Sequence, residues 1–462
     1  MKVPGSPLAP LVGDGALVPC VDGQERPYLS CDAAASTPAF PSVLAAVEDF
    51  LPWYSSVHRG AGYKSQRSTD AYEGARDAVL RFAHRQGGDD VAIICRNTTE
   101  AINHLAYRLR FSPGDVVATT VVEHHANMLP WSRAARCRYI ECGQGGTFEP
   151  VDVVAALETR PAPRLLAVTG ASNITGWVPP IDELVAIARD RGIPVMVDAA
   201  QLAPHRPLPA GPDFIVWSGH KMYAPFGAGV LIGPRRVFEE GDPFLVGGGA
   251  VDLVELDQVL WTKPPDREEA GSPNVVGAVA LAAAVDQLEA LGWPAVTAHD
   301  REIAGALRSG LTAIPGVHIL GPDLGTETLP VATFVIDDIP QSLVAARLSF
   351  EDAIGVRHGC FCAHPYLVRL LGLGPGEVAE HRSRARRGDR SQMPGAVRAS
   401  LGLNASVADV ERLCAAVARL AALVPAPVTY VQDPGTGDFS PGPASAPWLA
   451  AMRQHGSSCS PG

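Results

Sequence analysis

The residues best suited to chemistry stand at the ends of apolar runs. In FIVWSGHKMYAPFGAGVLIG, residues 214–233, a strand of buried type runs into Ser218, Gly219, His220 and Lys221, and a glycine-rich turn and a second apolar strand follow. A lysine at such a strand end is poorly solvated, which disfavours the ammonium and frees the amine to form an imine. The Ser218 hydroxyl and the His220 imidazole are suited to a phosphate. An exposed loop lysine would be the ordinary use of Lys221 were it not for this setting.

GIPVMVDAAQ, residues 192–201, ends a second apolar run in Asp198, followed by small residues and Gln201. An acid there needs a cationic partner. A protonated pyridine nitrogen is one, and holding that proton makes the ring an electron sink. Gln201 could then bond a ring oxygen. Capping of the next helix is the plainer use of such an aspartate. Asp198 and Lys221 close consecutive strands, so one small ligand could touch both. In CRNTTEAINHLAY, residues 95–107, Thr98 and Thr99 open a helix whose free N–H groups suit a phosphate, unless they only cap it. In VVEHHANMLPW, residues 121–131, His124 follows a strand and could stack flat on a pyridine ring; the bland alternative is a surface or metal-linked pair with His125. Together these pieces call for pyridoxal phosphate, held as a Schiff base on Lys221.

Such groups must be carried by strand ends. Apolar runs at Val91–Cys95, Asp115–Thr120, Leu165–Thr169, Pro194–Val197 and Phe214–Trp217 alternate with helix-like stretches at Tyr72–His84, Thr99–Arg110 and Ile181–Arg191. That order predicts an α/β fold with a mostly parallel sheet covered on both faces, and ligands at its strand-to-loop junctions. A long helix is expected over Val275–Leu291. From about Arg301 the order helix, strand, strand, helix predicts a smaller α+β domain. The expected division is an irregular arm over 1–27, a large domain over 28–295, a small domain over 296–430 and a disordered tail over 431–462. The charge run Glu377–Gln392 reads as a solvated helix or excursion.

The chain has 462 residues, 47% of them hydrophobic, and a formal charge of −11. The length predicts more than one domain. The acidic balance argues against nucleic acid as the main partner. No apolar run reaches a membrane span, and prolines break the first ten residues, so a soluble cytoplasmic protein with reduced thiols is expected. Nine cysteines are scattered along the chain, and the one close pair, Cys360 and Cys362, is flanked by His358 and His364. That spacing is too little for a zinc site, and no metal is expected.

Read in order, these pieces resemble the class V aminotransferase group of fold-type I pyridoxal-phosphate enzymes, and most closely the SufS-type cysteine desulfurases. The resemblance spans about residues 28–425. It is carried by YLSCDAAAS, VHRGAG at 57–62, TTEAIN at 98–103, EHHANMLPW at 123–131, SNITG at 172–176, VDAAQ at 197–201, SGHKMYAPFGAG at 218–229, EAGSPN at 269–274 and VRAS at 397–400. It implies that Lys221 carries the cofactor and His124 stacks on its ring. Asp198 would face the ring nitrogen, Gln201 the ring oxygen, and Thr98, Thr99, Ser218 and His220 the phosphate. Ser272 would reach the phosphate of the other subunit of a homodimer with shared sites. Asn173 and Arg398 would hold the substrate carboxylate, with His58 and Arg357 also on the substrate side. The family's nucleophilic cysteine falls on Cys362, in GVRHGCFCAHP, residues 355–365. Gly359 and the flanking His and Arg suit an exposed loop with an activated thiol; a small buried hydrophobe is the alternative. GCFC also resembles the loop of molybdenum-cofactor sulfurases.

The chain departs from the desulfurase pattern at Asn97, where glycine is usual, at Cys360 and Phe361, which replace a histidine pair, and in its longer charged segment before Arg398. The reaction implied is removal of sulfur from L-cysteine to give alanine and a Cys362 persulfide, passed on to an acceptor. The rivals are a β-eliminating C–S lyase, an epimerase or an aminotransferase, none of which needs Cys362, and a cofactor-binding scaffold without turnover.

Overall fold

Strands buried on both faces read as near-continuous apolar runs, and the centre of this molecule is built from such strands. The computed structural model describes residues 5–58 and 60–442. Arg59 and the chain from 443 onward, with Cys459 and the rest of the tail expected to be disordered, lie outside the described residues. Seven strands make one sheet: β1 (Asp90–Cys95), β2 (Val116–Thr120), β3 (Arg136–Ile140), β4 (Leu165–Thr169), β5 (Val195–Asp198), β6 (Phe214–Ser218) and β7 (Gly229–Pro234). Their spatial order is β1-β7-β6-β5-β4-β2-β3. β7 runs antiparallel to both neighbours, and the run from β6 to β3 is parallel.

Alternate side chains enter different cores. Leu166, Val168, Ile215 and Trp217 enter one, and Leu165, Ala167, Phe214 and Val216 the other. Helix α1 (Tyr63–Phe82) lies on the first face, and α2 (Thr98–Arg108) closes the second through Ala101, Ile102 and Leu105. α1 starts nine residues before the expected Tyr72, because its first turns are polar and carry no apolar stripe. β3 escapes the sequence pattern for a similar reason: as an edge strand it buries only Ile140 fully.

Helix α3 (Val275–Leu291) ends at Gly292, and α4 (Trp293–Thr312) leads into a second core. Here β8 (Val317–Leu320), β9 (Val331–Ile336), β10 (Arg357–Gly359) and β11 (Ala396–Ser400) form an antiparallel sheet of order β8-β9-β11-β10. Helices α4, α5 (Gln341–Asp352) and α6 (Val407–Ala421) pack on it through Ile303, Leu307, Val344, Leu348, Leu413 and Val417. Leu29 and Cys31 join this core too, so the chain enters the small sheet's side before it builds the large one.

Two stretches expected to be irregular carry short hairpins. Leu17–Pro19 pairs with Glu25–Pro27 around Gly23, whose φ of 81° only glycine adopts freely. Tyr430–Gln432 pairs with Phe439–Pro441. Its polar composition is held by contacts composition does not reveal: Arg390 N–H donates to Pro434 O at 2.8 Å, and Gln432 Nε2 to Ser391 O at 2.9 Å. The charge run forms a helix over Pro375–Arg386 with no buried residue. No single helix among the described residues is long and apolar enough to cross a membrane.

Candidate active site

Parallel strands end together, so their following loops converge at one edge of the sheet. Thr98 and Thr99 follow β1, His124 follows β2, Asn173 follows β4, Asp198 ends β5, and Ser218 ends β6 three residues before Lys221. These residues, with Gln201 and His220 from the same edge, Arg357 and Arg398 from the second sheet, and Cys362 from the loop after β10, line one cavity of about 290 Å³.

Burial governs the charges in it. It lowers the Lys221 amine to about 8, against the pull of Asp198, with Arg398 and Arg357 adding to the fall. Burial likewise raises the Asp198 carboxyl, an effect opposed by the Ala200 N–H, which donates to Asp198 Oδ1 at 3.0 Å, and by Lys221. Burial and then Lys221 bring His124 down to about 3. Its Nδ1 accepts from Ala126 N–H at 3.0 Å, which leaves the neutral ring's proton on Nε2. The result is an uncharged, flat imidazole beside a lysine that is partly free base near neutrality.

In the same cavity, Ser218 Oγ lies 2.6 Å from Thr98 Oγ1 and accepts from Thr98 N–H at 2.8 Å, tying the start of α2 to the end of β6. His220 is brought to about 4 by burial and Lys221. Asn97 is the N-cap of α2, its side chain accepting from Glu100 N–H at 3.0 Å. Its φ of −170° is extended backbone open to any residue, which explains why asparagine can stand where glycine is usual. The glycine that does matter here is Gly229, where a Cβ would sit 2.6 Å from Asn97 Cα.

Arg398 is buried, donates from Nη1 to Asn173 O at 3.0 Å, and leaves its Nε without a partner. Phe361 lies under its guanidinium at 5.1 Å. Asn173 Nδ2 donates to Phe361 O at 2.8 Å, and His125 N–H to Cys362 O at 2.7 Å. The rings of His125 and His364 stack at 5.2 Å. Phe361 and Cys362 both have positive φ, 53° and 55°, in a turn closed by Ala363 N–H donating to Cys360 O at 3.0 Å. The cysteine loop is therefore pinned from three sides in a turn that non-glycine residues rarely adopt. Cys362 is exposed, and besides the cavity it borders an open groove with His125, Leu129 and Arg133.

The structure does not bring His58 or Ser272 to the Lys221 cavity of the same chain; both border a separate pocket with Arg76 and Asp266. The segment with Ser272 is anchored by Glu269, which accepts from Ile94 N–H at 2.7 Å and pairs with Arg76 at 3.0 Å. His58, Glu73 and Asp266 are the one group of potential metal ligands among the described residues. Arg76 pairs with both carboxylates at 2.8 Å. His358 turns instead to Gln341 and Asp438.

Two acids received no role from the sequence. Asp32 holds Arg357 and Arg398. Glu123 is fully buried, accepting from Thr120 Oγ1 at 2.8 Å, Thr169 N–H at 3.0 Å and Asn127 Nδ2 at 2.6 Å, and burial pushes it up to about 8. It braces the segment that carries His124. An acid directly before the histidine pair was the available signal.

The donor set fits a phosphorylated pyridine aldehyde. An amine lowered by its surroundings and a buried carboxyl border a single cavity with a helix N-terminus, its hydroxyls, and a buried guanidinium with an orphaned Nε.

The aminotransferase class-V family model matches residues 29–413. A probable cysteine desulfurase from Halalkalibacterium halodurans is 34% identical over 76% of this chain and 87% of its own. A probable cysteine desulfurase from Mycobacterium leprae is 34% identical over 86% of this chain and 92% of its own. Among solved structures, the apo cysteine desulfurase of Thermococcus onnurineus is similar with a TM-score of 0.76 and 30% identity, over 86% of this chain and 95% of that one. A cysteine desulfurase from Escherichia coli gives 0.73, with the same identity and coverage.

Proposed function

The chain belongs to the class-V aminotransferase family, and from that premise we propose that it is a pyridoxal-phosphate-dependent cysteine desulfurase. It moves sulfur from L-cysteine to Cys362, releases alanine, and passes the sulfur to an acceptor. The observation that carries this reading is that the Cys362 thiol and the Lys221 amine border the same cavity.

When bound, pyridoxal phosphate supplies the carbonyl for amine exchange and the electron sink for charge at the substrate Cα. Thr98, Thr99, Ser218 and His220 would hold its phosphate and Gln201 its ring oxygen, and neutral His124 would stack on its ring. The Asp198 carboxylate would keep a proton at the ring nitrogen. Asn173, Arg357 and Arg398 orient the substrate carboxylate, a bidentate task suited to arginine. Lys221 Nζ takes the proton from Cα and holds it for return. Cys362 Sγ then attacks the substrate sulfur: an S–S bond forms, the Cβ–S bond breaks, and its electron pair stays with the carbon skeleton. The sum, cysteine plus thiol giving alanine plus persulfide, needs no outside oxidant or reductant. The groove beside Cys362 gives an acceptor thiol access from outside.

The reading includes a homodimer with shared sites, in which Ser272 serves the partner. In support, Leu245, Val246, Leu253, Val254 and Leu260 are exposed near Ser272 in sequence, a run of the kind that marks interfaces. The free thiols suit a reducing, cytoplasmic setting.

Product analysis tests the reaction. With L-cysteine and a reductant, alanine and sulfide are expected in equal amounts. Pyruvate and ammonia would instead identify a lyase.

The Lys221 environment sets a pH dependence. An amine lowered to about 8 is roughly 300-fold richer in free base at pH 7 than an ordinary lysine. Deprotonation is required for loading, so the rate at which apo-protein gains its visible absorption band should rise with pH and level off above about 8. A rate still climbing past pH 10 would contradict the burial assigned to Lys221.

A further inference from the structure

Arg357 and Arg398 stand directly opposite each other on the antiparallel strands β10 and β11. Both border the Lys221 cavity. Like charges so placed repel, and one carboxylate relieves them. Asp32 accepts from Arg398 Nη2 at 2.9 Å, and from Arg357 Nε at 3.0 and 3.2 Å and Nη2 at 2.9 Å. Asp32 does not itself border the cavity. Its backbone neighbours are bound to the strand that carries Arg398. Ser400 N–H donates to Cys31 O at 2.8 Å, Ala33 N–H to Ser400 O at 3.1 Å, and Ala34 N–H to Ser400 Oγ at 3.0 Å. The carboxylate is thus fixed to the arginines by both main chain and side chain.

Two guanidinium groups and one carboxylate leave one net positive charge facing the cavity. Without Asp32 there would be two, the complement of a dicarboxylic amino acid. The unpartnered Arg398 Nε marks donor capacity left for one incoming carboxylate. We propose that Asp32 is a positioning residue that sets specificity: it halves the charge of the arginine pair and so selects amino acids with one carboxylate over those with two. The inference deepens the reading above, because cysteine is such an amino acid. It rests on the arginines holding the substrate carboxylate and does not require Cys362.

The test uses the full chain loaded with pyridoxal phosphate and reads dissociation constants from the change in visible absorption. The probes are L-alanine and L-aspartate; aspartate carries a carboxylate where cysteine carries its thiol. Asp32→Asn should shift the alanine-to-aspartate preference toward aspartate by at least about tenfold, whereas Asp32→Glu should keep the wild-type preference. Arg357→Gln should shift it the other way, and judges the proposal even if Asp32→Asn does not fold. Equal weakening of both ligands in Asp32→Asn, or no change of preference in Arg357→Gln, would overturn it. Cysteine turnover by the wild type is followed in parallel. Its absence would count against the desulfurase reading alone, because the preference is measured by binding.

Discussion

Lys221→Ala is expected to yield a folded protein that neither forms the visible absorption band nor turns over cysteine. The side chain stands at the end of β6 in a cavity where burial holds its amine near 8. In the proposed reaction it has two tasks, binding the cofactor as an imine and moving the Cα proton, and loss of proton transfer alone costs roughly 10²–10⁴-fold. The ammonium is disfavoured in the folded state, so below about pH 8 its removal should retain or raise the thermal stability of the apo-protein. The linkage runs the same way. The folded-state amine is lowered, so its contribution is fully present only above the ordinary lysine range and is lost as pH falls through about 8. Wild-type apo-protein should therefore gain stability between about pH 8 and 10.5 relative to Lys221→Ala. Denaturant midpoints across that range check the sign, and a wild-type loss relative to the variant would contradict it.

The second large effect is expected at Cys362. Cys362→Ala should keep the absorption band and bind cysteine, because none of the groups assigned to the cofactor is touched. Alanine formation should fall by at least about 10²-fold, since no other group takes its place as nucleophile. Cys360 also lies in the turn, but it is half-buried and burial raises its thiol, so it is a poor substitute. Full alanine production by Cys362→Ala would remove the desulfurase mechanism. Retained turnover to pyruvate would favour the lyase. Cys360→Ala, by contrast, should leave alanine formation within a few fold.

The fold was legible where both faces of a strand are buried. The run Phe214–Ser218 has no polar break until Ser218, so its end marks the cavity as well as the strand. Asp198 was legible for the same reason. β3 was not, because an edge strand with one buried residue has no hydrophobic signature. The hairpin at 430–441 was missed because its support comes from Arg390 and Ser391, outside its own composition. Asp32 was visible as a letter but not as a role. Its partners lie 325 and 366 residues away, and only the pairing of β10 with β11 brings their charges into opposition. Ser272 was assigned to a second subunit, whereas His58 was expected beside the substrate; in the chain both border a pocket apart from Lys221.

The central claim is that sulfur leaves the substrate onto Cys362. A single turnover with limiting L-cysteine and no reductant, quenched and mapped by peptide mass, tests it directly. One added sulfur on the peptide carrying Cys362 for each alanine released is the predicted result. Alanine released while that peptide keeps its unmodified mass would contradict it.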